Sequence, residues 1–167
     1  MEIKTERLVM KPYSETDEND MIALLTNECI KATYMIPDFK TKDDAIAMFR
    51  RLYHDSHSDD HLEIGIYRNN KLIGFLNDVE MNEDIVELGY VIHPDFHGLG
   101  YATEALKAVI EKLFEMGYQE VITGAFETNT ASIRVMQKCN MHLLSKTEDI
   151  RYHQTMHHCV YYFIRRT

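Results

Sequence analysis

The stretch HPDFHGLGYATEAL, residues 93–106, places two glycines directly before a segment with helical periodicity. Apolar residues then recur at spacings of three and four, which predicts a helix over 101–116 with one buried face. Where Ser, Thr, Asp or Asn usually caps a helix, the chain has Gly98, Leu99 and Gly100. Unpaired N–H groups and the helix dipole at such a start favour a bound anion such as phosphate. Glycine is also an acceptable N-cap, so a simple turn is the alternative.

This loop does not match two well-known phosphate motifs. A Walker loop requires Gly-Lys-Ser/Thr, whereas Gly100 is followed by Tyr101. A dinucleotide fingerprint requires a small residue where Thr103 stands and a first glycine directly after a strand. The mismatches argue against a P-loop enzyme and a nicotinamide enzyme.

Composition limits the class of protein. The chain has 167 residues, 45% hydrophobic and 27% charged, which predicts one domain spanning 1–167 with a substantial core. A net charge of −9 without a basic cluster argues against nucleic acid as a partner. No apolar run has membrane-spanning length and no hydrophobic signal segment occurs, so we expect a cytoplasmic protein without membrane association. Three scattered cysteines without CxxC spacing predict reduced thiols.

The periodicity along the chain predicts an α+β fold. Four segments have helical spacing: 15–30, 42–53, 101–116 and 129–139. Seven segments read as strands: 3–11, 62–68, 71–80, 85–92, 120–124, 142–151 and 155–165. The three strands between 62 and 92 form an antiparallel meander. A crossover helix then makes 85–92 and 120–124 a parallel pair at the centre of the sheet.

The strand 85–92 has an unusual face. Alternation places Glu87, Gly89 and Val91 on the same side. Glycine weakens a strand unless the strand bulges or another group approaches its backbone. Because the strand leads directly into the glycine loop, the carboxylate beside this gap is a candidate for catalysis. A kink next to a solvated Glu87 is the alternative.

These residues resemble the GNAT superfamily of acyl-CoA N-acyltransferases, and especially its RimJ/RimL-like branch, which acetylates ribosomal-protein N-termini and related amines. The similarity lies in GYVIHPDFHGLGYATEAL (89–106) and NTASIRVMQKCNM (129–141), and it extends to TERLVMKPYSETD (5–17) and HHCVYYFIRR (157–166). The resemblance implies a mostly antiparallel, twisted sheet whose central parallel strands splay apart. It also implies acetyl-CoA as co-substrate, without a metal, and pantetheine paired with the first splayed strand.

The resemblance also implies site residues. The family loop Q/R-x-x-G-x-G/A falls on 97–102, with histidine replacing Gln or Arg at its first position. Since this loop acts through backbone N–H groups, the replacement is compatible with binding. The implied coenzyme-binding residues are Val91, Ile92, His97, Gly98, Leu99, Gly100, Tyr101, Ala102, Thr103, Asn129 and Ser132. Asn129 alternatively serves only as a helix N-cap.

Catalysis requires removal of a proton from an ammonium acceptor, and a partner for the leaving thiolate. The candidate catalytic residues are Glu87, as base, and Ser132, which lies near the thiol in the family. Alternative bases are Asp78, Glu80, Tyr90 and His93. A strand N–H near Val91 is the predicted oxyanion partner. Many relatives carry a tyrosine acid where this chain has Met136.

The predicted function is therefore acetyl transfer to a primary amine, either a protein N-terminus or a small molecule. A non-catalytic acyl-CoA-binding regulatory module is the alternative. The sequence does not specify the acceptor. It also does not decide between a monomer and a homodimer, because the alternation of Val160, Tyr162 and Ile164 fits both a dimer edge and a core strand.

Histidine and cysteine residues suggest two competing interpretations, a zinc site and a cysteine nucleophile. Histidines cluster at 54, 57 and 61 and at 153, 157 and 158, but their spacing matches no established zinc motif. Cys139 lies on a predicted helix without a nearby base in sequence, which favours a core position over a nucleophile.

Overall fold

Eight β-strands form one mixed sheet in the computed structural model, which describes all residues 1–167. The strands are β1 (Ile3–Lys4), β2 (Val9–Lys11), β3 (Glu63–Arg68), β4 (Lys71–Met81), β5 (Ile85–Ile92), β6 (Glu120–Phe126), β7 (His142–Tyr152) and β8 (Thr155–Arg165). The helices are α1 (Glu18–Leu25), α2 (Glu28–Lys31), α3 (Lys42–Ser56), α4 (Tyr101–Met116) and α5 (Thr130–Lys138). The spatial order is β1-β2-β3-β4-β5-β6-β8-β7, and only β5 and β6 pair in parallel. The α+β prediction is confirmed.

Two predicted elements are divided in the structure. The segment 3–11 forms two strands that pair with each other, because the chain reverses at Thr5, whose N–H donates to the carbonyl of Leu8 at 3.0 Å. The segment 15–30 contains a 3-10 turn and two helices. Asn27 starts the second helix, since its side chain accepts hydrogen bonds from the first-turn N–H groups. The counts are therefore eight strands and five helices instead of seven and four.

The sheet separates two hydrophobic cores. The larger core lies between the sheet and helices α4 and α5, and the smaller one lies against α1 and α3. On β5, Leu88 and Ile92 belong to the larger core, whereas Val91 belongs to the smaller one. This alternation means that β5 can present different chemistry to each layer of helices.

The central parallel strands pair over only part of their length. Their ladder ends at Leu88 and Thr123. Beyond that point β5 stays paired with β4 as far as Ile92, and β6 stays paired with β8 as far as Phe126. Each strand thus keeps its outer neighbour while the two separate from one another, so a gap opens in the middle of the sheet.

The alternating residues of β8 belong to the core. Tyr162 is buried in the larger core, and Val160 and Ile164 pack against it. This packing explains their apolar alternation without a dimer edge. No helix has the length and apolar character needed to cross a membrane.

Candidate active site

Helix α4 begins without a capping side chain, as predicted. Its N-cap is Gly100, in the left-handed conformation with φ of 83°. Gly98 has φ of 74°, and a Cβ atom there would meet nothing within 4 Å, so the backbone conformation and not crowding favours glycine. The N–H groups of Tyr101, Ala102 and Thr103 have no acceptor within the chain. Together with the helix dipole, these donors can bind an anion.

The glycine loop and the strand gap open into the same cavity, of about 340 Å³. Ten of the eleven coenzyme-binding residues inferred from the sequence line it: Val91, Ile92, His97, Gly98, Gly100, Tyr101, Ala102, Thr103, Asn129 and Ser132. Leu99 is absent from the lining, and the residue is 51% exposed. A further part of the wall is formed by Cys29 of α2 and by Thr33 and Tyr34, which follow that helix. Sequence patterns did not identify this wall, because no motif marks it.

Two backbone amides of β5 face the gap. The N–H of His93 donates to the carbonyl of Ile73 on the β4 side at 2.7 Å. Since antiparallel strands alternate the direction of their amides, Val91 turns its N–H toward β4, whereas Tyr90 and Ile92 turn theirs toward the gap. The oxyanion partner near Val91 stays a prediction, and the N–H groups next to Val91 that face the gap are those of Tyr90 and Ile92.

His97 holds the end of β5. Its Nε2 atom lies 2.7 Å from the carbonyl oxygen of Ile92, which no neighbouring strand reaches. The ring therefore binds protein backbone at the base of the loop. This contact gives the histidine a structural task at a position where the family motif has Gln or Arg.

Gly89 makes room for a side chain of the chain itself. A Cβ atom at this position would lie 2.3 Å from the hydroxyl oxygen of Tyr34. That hydroxyl donates to Oδ1 of Asn77 at 2.6 Å. The group that approaches the strand is thus a tyrosine, and both Gly89 and Tyr34 line the cavity. No sequence signal links these distant positions.

Helix α5 and strand β5 each contribute one hydroxyl of a pair at the cavity. Oδ1 of Asn129 accepts the N–H of Ser132 at 3.2 Å, so the N-cap interpretation of Asn129 is confirmed. Oγ of Ser132 lies 2.6 Å from the hydroxyl of Tyr90. Burial raises the pKa of Tyr90 well above its ordinary value, which keeps the phenol protonated. Met136 of α5 is fully buried and carries no hydroxyl. The phenol near Ser132 therefore belongs to β5 and not to α5.

The predicted base lies outside the cavity lining. Glu87 shares a strand face with Gly89 but turns toward Lys146 of β7, whose Nζ atom is 3.9 Å from its carboxylate. Burial raises the pKa of Glu87, and Lys146 partly opposes this effect. One strand repeat, about 7 Å, separates Glu87 from Gly89, so a proton would reach it through water.

The alternative bases occupy different surroundings. Asp78 accepts the N–H of Leu62 at 2.8 Å and thereby fixes the start of β3. His93 caps the 3-10 turn that precedes the loop. Glu80 is exposed on β4. Only Tyr90 among the alternatives lines the cavity, and its raised pKa makes it a poor base.

The remaining sequence alternatives gain no support from the structure. No three His, Cys, Asp or Glu side chains are grouped as metal ligands. Cys139 is buried, and burial raises the pKa of its thiol to about 11, as expected for a core residue.

Comparison with known proteins identifies the family. Residues 7–142 match the model of the acetyltransferase (GNAT) domain. The chain belongs to the GNAT acetyltransferase family. It is 27% identical over 143 residues to the Bacillus subtilis protein named uncharacterized N-acetyltransferase YnaD, a match that covers 84% of this chain and 82% of that protein.

Solved GNAT structures share the whole fold. An acetyltransferase of this family from Bacillus anthracis superposes with a TM-score of 0.85 at 23% identity, covering 99% of this chain and 98% of that one. The ribosomal L7/L12 N-acetyltransferase RimL in complex with coenzyme A superposes with a TM-score of 0.85 at 15% identity, with coverage of 99% and 98%. The GNAT fold inferred from the sequence is thereby confirmed.

Proposed function

We propose that this protein transfers an acetyl group from acetyl-CoA to a primary amine, either a protein N-terminus or a small molecule. One observation supports the proposal above all others. The bare start of α4 and the gap between β5 and β6 line the same cavity, so a diphosphate and an extended thioester arm can be held together. The structural neighbours RimL and MccE are described in complex with coenzyme A and acetyl-CoA, respectively.

The residues present fit coenzyme A. The free N–H groups of 101–103 and the permissive backbone of Gly98 and Gly100 suit a diphosphate. The amide of Ile92, which lies next to the glycine loop, suits an amide group of pantetheine, since pantetheine resembles a peptide strand. When bound, acetyl-CoA supplies an activated acetyl thioester.

Three groups of the chain then act as the base, the oxyanion partner and the proton donor to the leaving sulfur. Glu87 accepts the amine proton through water, and its raised pKa brings a carboxylate closer to the working pH. The N–H group of Tyr90, the gap-facing amide farther from the glycine loop, stabilises a developing oxyanion. Oγ of Ser132, backed by the Tyr90 hydroxyl, holds the proton available to the leaving sulfur.

Cys29 allows a direct test of coenzyme binding. It is the exposed cysteine of the chain and lines the cavity, whereas Cys139 and Cys159 are buried. We expect saturating acetyl-CoA to slow alkylation of Cys29 by a small maleimide severalfold, as measured by intact-protein mass spectrometry. The Cys29→Ser variant controls for labelling elsewhere. Unchanged labelling, together with no calorimetric binding, would contradict the coenzyme assignment.

Catalysis is tested separately by release of free thiol. The Cys29→Ser variant removes the exposed protein thiol from this assay, and the amines screened are peptides, polyamines, amino acids and aminoglycosides. Amine-dependent release of coenzyme A identifies the acceptor class. Binding without release from any amine would instead favour the non-catalytic acyl-CoA-binding module.

A further inference from the structure

The turn between β1 and β2 reaches the glycine loop through one arginine. Arg7 donates from Nη1 to the carbonyl oxygen of Leu99 at 2.9 Å, and from Nε to a carboxylate oxygen of Glu104 at 2.6 Å. Its Nη2 atom is also 2.6 Å from that carboxylate. The guanidinium stacks on the Tyr101 ring, with its carbon 4.7 Å from the ring centre. A single side chain thus connects the loop to the first turn of α4.

The contact with Leu99 orients a peptide group of the loop. Because a trans peptide is planar, the N–H of Gly100 points opposite to the carbonyl of Leu99. Arg7 draws this carbonyl toward itself, so the Gly100 N–H is directed away from the guanidinium. That N–H has no acceptor within the chain, and Gly100 lines the cavity. Rotation of the peptide would instead present a carbonyl oxygen, which repels an anion.

The carboxylate of Glu104 anchors Arg7, and the positive charge of Arg7 neutralises this carboxylate. Oε1 of Glu104 accepts from the Thr5 hydroxyl at 2.6 Å and from the Arg7 N–H at 3.0 Å. Partial burial opposes ionisation, but hydrogen bonds from Thr5 and Arg7 hold the pKa of Glu104 below its ordinary value. An unpaired carboxylate at the start of α4 would compete electrostatically with a bound anion. The guanidinium neutralises it.

We propose that Arg7 is a positioning residue for the coenzyme loop, which turns the Gly100 N–H toward the diphosphate and neutralises Glu104. Its three nitrogen atoms contact protein acceptors, so the residue acts through the loop and does not grip the phosphates itself. This inference rests on the proposed function, because it requires the diphosphate of coenzyme A at the loop.

The test compares two acetyl donors. We expect Arg7→Ala to raise the Kd for acetyl-CoA, measured by calorimetry, about tenfold, the effect of losing a charge-assisted hydrogen bond. The KM for acetyl-CoA should rise in parallel, while kcat at saturation stays within about twofold because the reacting groups are untouched. With S-acetylpantetheine, which lacks the diphosphate, the variant should match the wild type. A general structural defect would instead weaken the binding of both acetyl donors.

Two further variants separate position from charge. Arg68→Ala removes a guanidinium that also stacks on Tyr101, 5.3 Å from the ring centre, but that makes no hydrogen bond to the loop. We expect its affinity for acetyl-CoA to stay near the wild-type value. Arg7→Lys keeps the charge but lacks the fork that spans Glu104 and Leu99, so it should resemble Arg7→Ala. If Arg7→Ala unfolds in a thermal melt, Arg7→Lys provides the comparison.

The outcomes distinguish this inference from the proposed function. If the wild type binds acetyl-CoA and Arg7→Lys binds it equally well, positioning by the guanidinium is wrong while the proposed function stands. Equal losses in Arg68→Ala and the Arg7 variants would also overturn it, in favour of general charge. If the wild type itself binds no acetyl-CoA, both proposals fail.

Discussion

The hydroxyl oxygen of Tyr90 lies 2.6 Å from Oγ of Ser132, so β5 and α5 contribute to one hydrogen-bonded pair at the cavity. The same phenol lies 3.2 Å from the carbonyl oxygen of Ser132. Asn129 fixes the backbone of the serine from the other side through the helix cap. Ser132 is therefore held in place by groups before it in the helix and across the gap, which suits a residue that must present a proton in a defined direction.

The hydroxyl pair is expected to act as a unit. We expect Ser132→Ala to lower kcat about tenfold, because a hydrogen bond to a developing thiolate is lost, and Tyr90→Phe to lower it by a smaller factor. The double variant should be no slower than Ser132→Ala, since Tyr90 acts through the serine. Steady-state kinetics with the amine found in the thiol-release screen provide the measurement. Multiplicative losses would show that the two hydroxyls act independently.

Glu87→Gln tests the base. We expect kcat to fall, with the largest loss below the pKa of the acceptor amine, where a proton must be removed. The Kd for acetyl-CoA should stay nearly unchanged, because Glu87 lies outside the cavity lining. Glu83→Gln is the matched control, since it removes an exposed carboxylate from the turn between β4 and β5. Equal turnover of Glu87→Gln and wild type would remove Glu87 from the mechanism.

Gly100→Val tests the loop. Its φ of 83° disfavours a side chain, and a Cβ atom would contact Nη2 of Arg7 at 3.4 Å. We expect the Kd for acetyl-CoA to rise about tenfold or more as the loop amides lose their alignment. Gly117→Val is the matched control, because Gly117 has φ of 113° at the far end of α4. Both variants should lose stability in urea unfolding, but only Gly100→Val should lose coenzyme affinity.

Glu63 predicts a pH dependence of stability outside the active site. Burial raises its pKa to about 8, while Tyr13 donates to it and Asp78, Asp55 and Arg51 lie near enough to influence it. A carboxyl group with a raised native pKa binds more protons in the folded than in the unfolded state. Its contribution is therefore fully present below the unfolded value near 4.5 and is lost as the pH rises through about 8.

The Glu63→Gln variant isolates this contribution. We expect the wild type to lose more unfolding free energy between pH 5 and pH 8 than the variant does, since glutamine has no proton to release. Urea unfolding at both pH values measures the difference. Parallel pH profiles for the two proteins would show that the pKa of Glu63 is the same in the folded and unfolded states, which would contradict the raised value.

Local sequence patterns predicted much of the fold. The helix 101–116 and the strand 85–92 have the predicted bounds, because periodicity over a long segment reports directly on burial of one face. The division of 3–11 into two strands was missed. Both halves are strand-like, and only a reversal at Thr5 and Leu8 separates them.

The sequence by itself determined the bare start of α4, the mixed sheet with its parallel centre, and ten of the residues that line the cavity. These are properties of contiguous residues, or of a motif read along the chain. Only the tertiary structure decided that Tyr34 covers Gly89, that Tyr90 meets Ser132, and that Arg7 holds the carbonyl of Leu99. Such contacts join residues far apart in the chain, and strand order and register, which no local pattern encodes, bring them together.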